Sequence, residues 1–131
     1  MKLEPKVEAF LRGKHIAKLA TVNRDGSPQV TPIWYMCVDG KMIVNTAEGR
    51  VKLRNIRRDP RVVLLMDEGY AYVAISGEAR VAKERDGLKD IEALAIRYHG
   101  PQKGKKMTSE IYSKQKRVSI EIVPERTVKV L

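Results

Sequence analysis

The stretch that decides the fold is DGKMIVNTAEGRVKLRNIRRDPRVVLL, residues 39–65. Asp39-Gly40 is a strong signal for a two-residue hairpin turn, and the β-rich KMIVNT after it is the returning strand. Residues 49–59 contain no proline, space their apolar side chains as a short helix would, and are followed by a proline that ends it. Residues 61–67 form an apolar run typical of a strand covered on both faces. The stretch therefore predicts a hairpin, a short helix and a further strand.

The flanking sequence extends this pattern in both directions. Apolar spacing predicts helices over 5–13 and 86–100, and β-rich or alternating segments predict strands over 15–22, 29–38, 70–82, 117–123 and 127–131. The polar segment PQKGKKMTS predicts a loop, and Gly77 inside its strand predicts a bulge or a bend. The order favours a mainly β protein, a small antiparallel barrel with helices packed outside it, as one domain over residues 1–131.

Composition and charge narrow the function classes. The chain carries a formal net charge of +10, concentrated in residues 50–61 and 97–117, which indicates that anions are met at particular places. The longest stretch without a charged residue, Gly26–Val38, is too short to span a bilayer. The first ten residues contain no apolar signal core, and the single cysteine, Cys37, fits a reducing compartment. We expect a cytoplasmic protein without a membrane segment.

Neither a metal centre nor a protein-borne catalytic group is indicated. His15 and His99 are far apart in the sequence, there is no Cys-x-x-Cys motif, and no basic residue adjoins Cys37. No metal site is expected and the catalytic residues are left unknown. If the protein is an enzyme, a cofactor supplies the difficult chemistry.

The segment 45–52 has the composition of a phosphate site. A strand ends at Asn45-Thr46, and the flexible Gly49 then lets backbone N–H groups approach a ligand closely. Arg50 and Lys52 add two cations, and a helix beginning after Gly49 would direct its free amides at the same place. The same pattern is also common on solvated helix surfaces, so the residues alone leave both readings open.

Longer motifs resemble a known family. ATVNRDGSPQVTPIWY and the stretch from Val44 to Val62 are similar to the pyridoxamine-phosphate-oxidase-like, FMN-binding split-barrel superfamily, and most similar to its small branch that uses the deazaflavin coenzyme F420. The resemblance implies a six-stranded antiparallel split β-barrel with peripheral helices, and a homodimer with two cofactor sites shared between subunits. It also implies cofactor contacts at Gln29, Val30, Thr31, Pro32, Ile33, Trp34, Val44, Asn45, Thr46, Ala47, Arg50, Val51, Lys52 and Asn55.

The function implied is an oxidoreductase that moves hydride between bound F420 or FMN and a small organic substrate. The chain lacks the Arg- and Trp-bearing end of true pyridoxamine phosphate oxidases, which argues against vitamin B6 oxidation. Lys103, Lys105 and Lys106, called here the lysine cluster, could receive the acidic tail of F420. If a side chain protonates the substrate, the candidates are Tyr35, Tyr70, Tyr72 and Tyr98, which the sequence does not rank. A non-catalytic cofactor carrier remains an alternative, as does a basic nucleic-acid-binding barrel, although only 5% of the residues are aromatic.

Overall fold

The computed structural model describes residues 2–131 as one curled sheet with four α-helices. In chain order the elements are α1 (Pro5–Leu11), β1 (Ala17–Val22), β2 (Pro28–Ile33), β3 (Met36–Val38), β4 (Lys41–Ala47), α2 (Val51–Arg58), β5 (Arg61–Glu68), β6 (Ala71–Val81), α3 (Gly87–His99), α4 (Pro101–Glu110), a 3-10 turn (Tyr112–Lys114) and β7 (Arg117–Val130). The mainly β, antiparallel fold with peripheral helices is confirmed.

The expected count of six strands is wrong, because the sheet has seven. Its order is β2-β1-β5-β6-β7-β4-β3, and every pairing is antiparallel. The run predicted over 29–38 breaks at Trp34-Tyr35 into β2 and β3. The break has a local cause: the amide N–H of Tyr35 donates to the Tyr98 hydroxyl at 3.3 Å, and its carbonyl accepts from Arg97 Nε at 3.1 Å. Side chains of α3 therefore replace the strand partner that Tyr35 would need.

The sheet curls strongly but does not close. Its two edge strands, β2 and β3, are joined by Trp34 and Tyr35 alone. A flat sheet of this width would hold the edges about 29 Å apart, at roughly 4.8 Å per strand interval. The three Cα steps from Ile33 to Met36 reach about 11 Å at most, so the sheet must bend round on itself. No ladder joins β2 to β3, and the barrel stays open along this seam.

The core fills the inside of the curled sheet. Leu19, Leu64, Ile75 and Ile120 are representative members, each at most 1% exposed. The core also contains Val7 and Leu11 of α1 and Leu53 and Ile56 of α2, so these two short helices plug the interior. The longer α3 packs instead against the outside of β4 and β7. The outer surface of β1, β5 and β6 has no comparable cover among the described residues.

The segment predicted as a loop after residue 100 is the helix α4. Pro101 occupies its first turn, and Gly100, with φ +89°, provides the sharp change of direction from α3. At Gly104 an added Cβ would lie 2.6 Å from the Ile96 amide nitrogen, so the glycine lets α4 pack closely on α3. The packing uses Gly104 and Thr108 rather than large apolar residues. Because this segment has no apolar periodicity, its helix could not be predicted from the sequence pattern.

The two strands predicted at the end of the chain are one strand, β7, which is 14 residues long. It pairs with β4 through its first half and with β6 along most of its length. The register with β6 shifts between Ser76 and Gly77, so the predicted bulge is confirmed, but its extra residue lies in β7 opposite Gly77 rather than in β6. Gly77 lies against the Val123 carbonyl, where no Cβ would fit. Among residues 2–131 no helix is long and apolar enough to cross a membrane.

Candidate functional site

A cleft of about 350 Å³ opens where β2, β4, α2 and α3 meet the start of β7. One side is apolar and is formed by Ile16, Pro32, Ile33, Ile91 and Leu94. The opposite side is polar and is formed by Asn45, Thr46, Arg50, Lys52 and Arg117, and two aromatic residues, Trp34 and Tyr112, complete the lining. The cleft suits a ligand with an apolar body and an anionic end.

Three cations meet at the polar side without a compensating carboxylate. Within residues 2–131 no carboxylate oxygen lies within 4.0 Å of a side-chain nitrogen of Arg50, Lys52 or Arg117. Elsewhere on α2, by contrast, Arg57 pairs with Glu48 at 2.7 Å. An unpaired cluster of this kind favours an anionic ligand.

The electrostatics of the cluster point the same way. Burial lowers the pKa of Lys52 below its usual value, and the neighbouring charges of Arg50 and Arg117 lower it further. Burial likewise lowers the pKa of Arg117, with Arg50 adding to the shift and Tyr112 opposing it. The folded protein therefore holds positive charges that repel one another and are partly removed from water. A bound anion would relieve both costs.

The N-terminus of α2 contributes backbone donors at the same place. Gly49 turns the chain with φ +92°, and Arg50 occupies the N-cap position in an extended conformation, with no side chain capping the helix. The free N–H groups of the first turn, together with the positive end of the helix dipole, form an anion-binding arrangement. Lys52 lies within that first turn.

Asn45 and Arg117 tie the polar side together. Asn45 Nδ2 donates to the Gly87 carbonyl at 2.9 Å, and Asn45 Oδ1 accepts from Arg117 Nε at 2.9 Å. Arg117 Nη1 also donates to Gln115 Oε1 at 2.8 Å. The guanidinium lies over the Tyr112 ring, 5.0 Å from its centroid. Arg117 is thus held in place from three directions at the edge of the cleft.

Aromatic side chains form the remaining wall. Trp34 stacks on Tyr98 with ring centroids 5.3 Å apart, and it meets the edges of His99 and Tyr112 at 5.4 and 6.5 Å. Trp34 lies in the two-residue seam between β2 and β3. Its position is therefore fixed by α3 and the 3-10 turn rather than by a strand neighbour. The wall offers a flat surface to a planar ligand.

The cleft gathers half of the residues that the resemblance implies for cofactor contact. They come from the end of β2, the end of β4 and the start of α2, and they are Pro32, Ile33, Trp34, Asn45, Thr46, Arg50 and Lys52. Three separate parts of the sequence thus meet at one place. Their role in binding stays a prediction.

The other seven do not line the cleft. Val44 is fully buried in the core, Ala47 is buried at the end of β4, and Val30 and Val51 are 59% and 40% exposed. The remaining three are polar: Gln29 and Thr31 lie in β2, and Asn55 lies in α2. Gln29 accepts a hydrogen bond from Thr21, and Thr31 Oγ1 is buried without a partner among the described residues. Asn55 donates to Thr21 and Asn23 at 3.0 and 2.9 Å. Asn55 thereby ties α2 to β1.

Sequence reasoning missed five of the lining residues: Ile16, Ile91, Leu94, Tyr112 and Arg117. The register pairs Ala47 of β4 with Arg117, which brings the start of β7 beside the cleft. Only the excess charge of residues 97–117 pointed toward this segment. Nothing in the local sequence separates Arg117 from its basic neighbours.

The tyrosines considered as proton donors do not line the cleft. The Tyr35 hydroxyl donates to the Leu11 and Gly13 carbonyls, and Tyr98 donates to the His15 carbonyl at 2.7 Å. Burial raises the pKa of both phenols. Tyr70 is fully solvent-exposed and Tyr72 lies on β6, so Tyr112 is the tyrosine that faces the cleft. In the part of the chain described here, no three His, Cys, Asp or Glu residues are grouped as metal ligands would be.

Comparisons with known proteins identify the family of this chain. A sequence profile of the family described as pyridoxamine 5'-phosphate oxidase matches residues 3–130. The chain is 32% identical over 97 residues to an F420H(2)-dependent biliverdin reductase of Mycobacterium tuberculosis, covering 72% of this chain and 71% of that protein.

Solved structures give the same result. A conserved hypothetical protein of Mycobacterium tuberculosis superposes with a TM-score of 0.78 at 30% identity, covering 98% of this chain and 84% of that one. A structure described as an F420 reductase superposes with a TM-score of 0.72 at 25% identity, covering 92% and 94%. The chain therefore belongs to the pyridoxamine 5'-phosphate oxidase family, with relatives in its F420-dependent branch.

Proposed function

We propose that this member of the pyridoxamine 5'-phosphate oxidase family is an F420-dependent oxidoreductase, which transfers hydride between the bound deazaflavin and a small organic substrate. The observation that carries the proposal is the cleft itself, where three cations without carboxylate partners face an apolar and aromatic wall. The likeness to an F420H(2)-dependent biliverdin reductase supports the deazaflavin over FMN.

The residues present fit the cofactor. Thr46, Arg50, Lys52 and the first-turn amides of α2 would hold the phosphate, because together they supply donors and positive charge that no residue in the cleft uses. Pro32, Ile33 and Trp34 would bear on the ring system. The lysine cluster lies on α4, where its three side chains are exposed, and would attract the carboxylates of the tail.

The side chains of the cleft position the cofactor and the substrate rather than supplying a reacting group. When bound, F420 supplies a ring carbon that accepts or donates hydride. Ile91 and Leu94 make the inner wall apolar and keep water away from that part of the cleft. Anchoring the phosphate at the polar side would hold the ring system beside the aromatic wall, so that a substrate would meet the ring in one orientation.

A homodimer is part of the proposal. On the outer face of the sheet, Leu65, Ala74 and Val128 lie side by side across β5, β6 and β7. Val63 lies on the same face, opposite Ala20 of β1, and is 38% exposed. This apolar face, defined by these five residues, has no helix over it. A second copy of the chain is the partner we propose for it.

The first experiment is a titration of the purified protein with F420 and with FMN, followed by cofactor fluorescence. We expect saturable binding of both, with the tighter affinity for F420. Failure to bind either cofactor at 100-fold the concentration that saturates an F420-dependent reductase would refute the proposal.

The second experiment separates an enzyme from a carrier. Reduced F420 is mixed with the protein and with biliverdin, which the relative's name makes the first substrate to test, and the absorbance of oxidised F420 is followed. Protein-dependent oxidation would support an oxidoreductase. Tight cofactor binding with no turnover of biliverdin or of other conjugated acceptors would identify a carrier instead.

A further inference from the structure

Arg117 differs from the other basic residues near the cleft because its orientation is fixed. Its Nε and Nη1 groups are bonded to Asn45 and Gln115, and its planar face lies over Tyr112. Neither contact neutralises it, because both hydrogen-bond partners are uncharged amides. A half-buried cation that is positioned but not paired carries a desolvation cost unless something else balances its charge.

The remaining donor of Arg117 is free to meet a ligand. Its Nη2 group makes no hydrogen bond to any residue from 2 to 131, and Arg117 lines the cleft with Arg50 and Lys52. The Coulombic effect of Arg50 on the pKa of both other cations indicates that the three lie close together. An anion at the N-terminus of α2 would therefore lie within the field of three positive charges.

The number of positive charges in the cluster indicates which kind of anion fits. A phosphodiester carries one negative charge, which leaves two of the three cations unbalanced in a partly buried site. A ligand with at least two negative charges balances them better, whether the second comes from a phosphomonoester or from a carboxylate attached beyond a diester. The cleft residues provide no such charge themselves.

We propose that Arg117 is a third ligand of the anion and selects ligands that carry at least two negative charges at this end of the cleft. Asn45, Gln115 and Tyr112 act as its positioning residues, since each contacts the guanidinium. The proposal rests on the proposed function for the identity of the cofactor, although its anion chemistry can be tested separately.

The test compares ligands with and without their anionic groups. Arg117→Gln is titrated with FMN and riboflavin, and with F420 and the deazaflavin alcohol that lacks phosphate and tail. We expect a loss of about tenfold or more for FMN and F420, and nearly unchanged binding of the two uncharged ligands. Arg117→Lys should recover part of the loss. Arg24→Gln, the same charge change in the exposed β1–β2 turn, is the matched control and should bind like the parent.

The ligand pairs also identify the source of the second charge. A loss larger for FMN than for F420 assigns it to the phosphomonoester, and the opposite order assigns it to the tail. Equal losses for charged and uncharged ligands would mean that Arg117 only maintains the shape of the cleft, which would overturn the proposal. Parental binding of every ligand by Arg117→Gln would overturn it as well, while leaving the proposed function intact.

Pyrophosphate provides an arm that does not depend on the cofactor. It should raise the thermal midpoint of the parent protein more than dimethyl phosphate does, because this phosphodiester carries a single negative charge, and Arg117→Gln should lose that difference. If no cofactor binds but this difference is present and depends on Arg117, the anion site stands and the proposed function fails. If dimethyl phosphate and pyrophosphate act equally on the parent, the proposed charge selectivity is refuted.

Discussion

Lys52→Ala tests the phosphate anchor most directly. The substitution removes one cation from the first turn of α2 and leaves the backbone amides in place. A charge-assisted hydrogen bond contributes about 1.5–3 kcal/mol, and each 1.4 kcal/mol is about tenfold in affinity. Cofactor affinity should therefore fall by roughly one to two orders of magnitude. The measurement is a fluorescence titration with F420 and with FMN.

The same variant should not weaken the fold. Burial and two neighbouring arginines disfavour the charged form of Lys52, so the free protein gains little from this residue. We expect its thermal midpoint without cofactor to stay level or to rise slightly. Arg57→Ala is the matched control, because it makes the same charge change on the same helix, at a residue paired with Glu48. Cofactor binding by Lys52→Ala within twofold of the parent, or an equal loss in Arg57→Ala, would refute the anchor.

The pKa of Lys52 is lowered from its ordinary 10.5, so this lysine loses its positive charge at a lower pH than a free lysine would. Cofactor affinity should therefore fall as pH rises through the lowered pKa, and Lys52→Arg, which stays charged, should retain affinity there. Cofactor titrations from neutral pH to 10.5 measure both effects. Neutralising the lysine cluster should weaken F420 binding and flatten its salt dependence while FMN binding hardly changes, and equal losses would remove its role in tail recognition. Val63→Asp should convert a dimer to the 14.9 kDa species in sedimentation, and a parent protein that sediments only at 14.9 kDa would remove the shared-site arrangement.

The local sequence is sufficient to predict most of the helices and strands. The hairpin at Asp39-Gly40, the helix ended by Pro60 and the bulge at Gly77 all depend on residues whose backbone preferences are strong. The helix α4 was missed because it packs through Gly104 rather than through an apolar stripe. The break at Tyr35 was missed because its cause lies in α3, more than 60 residues away in the chain.

The residues of the site also divide into those with a local sequence signal and those without one. Arg50 and Lys52 could be predicted because a strand, a glycine turn and a helix start lie together in one short segment. Arg117 could not, since it reaches the cleft only through the register of β7 against β4. Tyr112 depends on the path of a 3-10 turn after an unpredicted helix. Contacts that depend on long-range register leave no local pattern to read.

The bulge in β7 reverses the phase of that strand. Before the bulge, Ile120 and Ile122 point into the core. At the bulge, Gly77 pairs with Pro124 but Ser76 pairs with Arg126, so β7 carries one residue more than β6. Because side chains alternate with a period of two, the extra residue moves every later even-numbered side chain to the opposite surface. Val128, which would otherwise continue the row of core isoleucines, is instead 40% exposed on the outer face. A single inserted position thus lets one strand serve the cleft and the core with its first half and an apolar contact surface with its second.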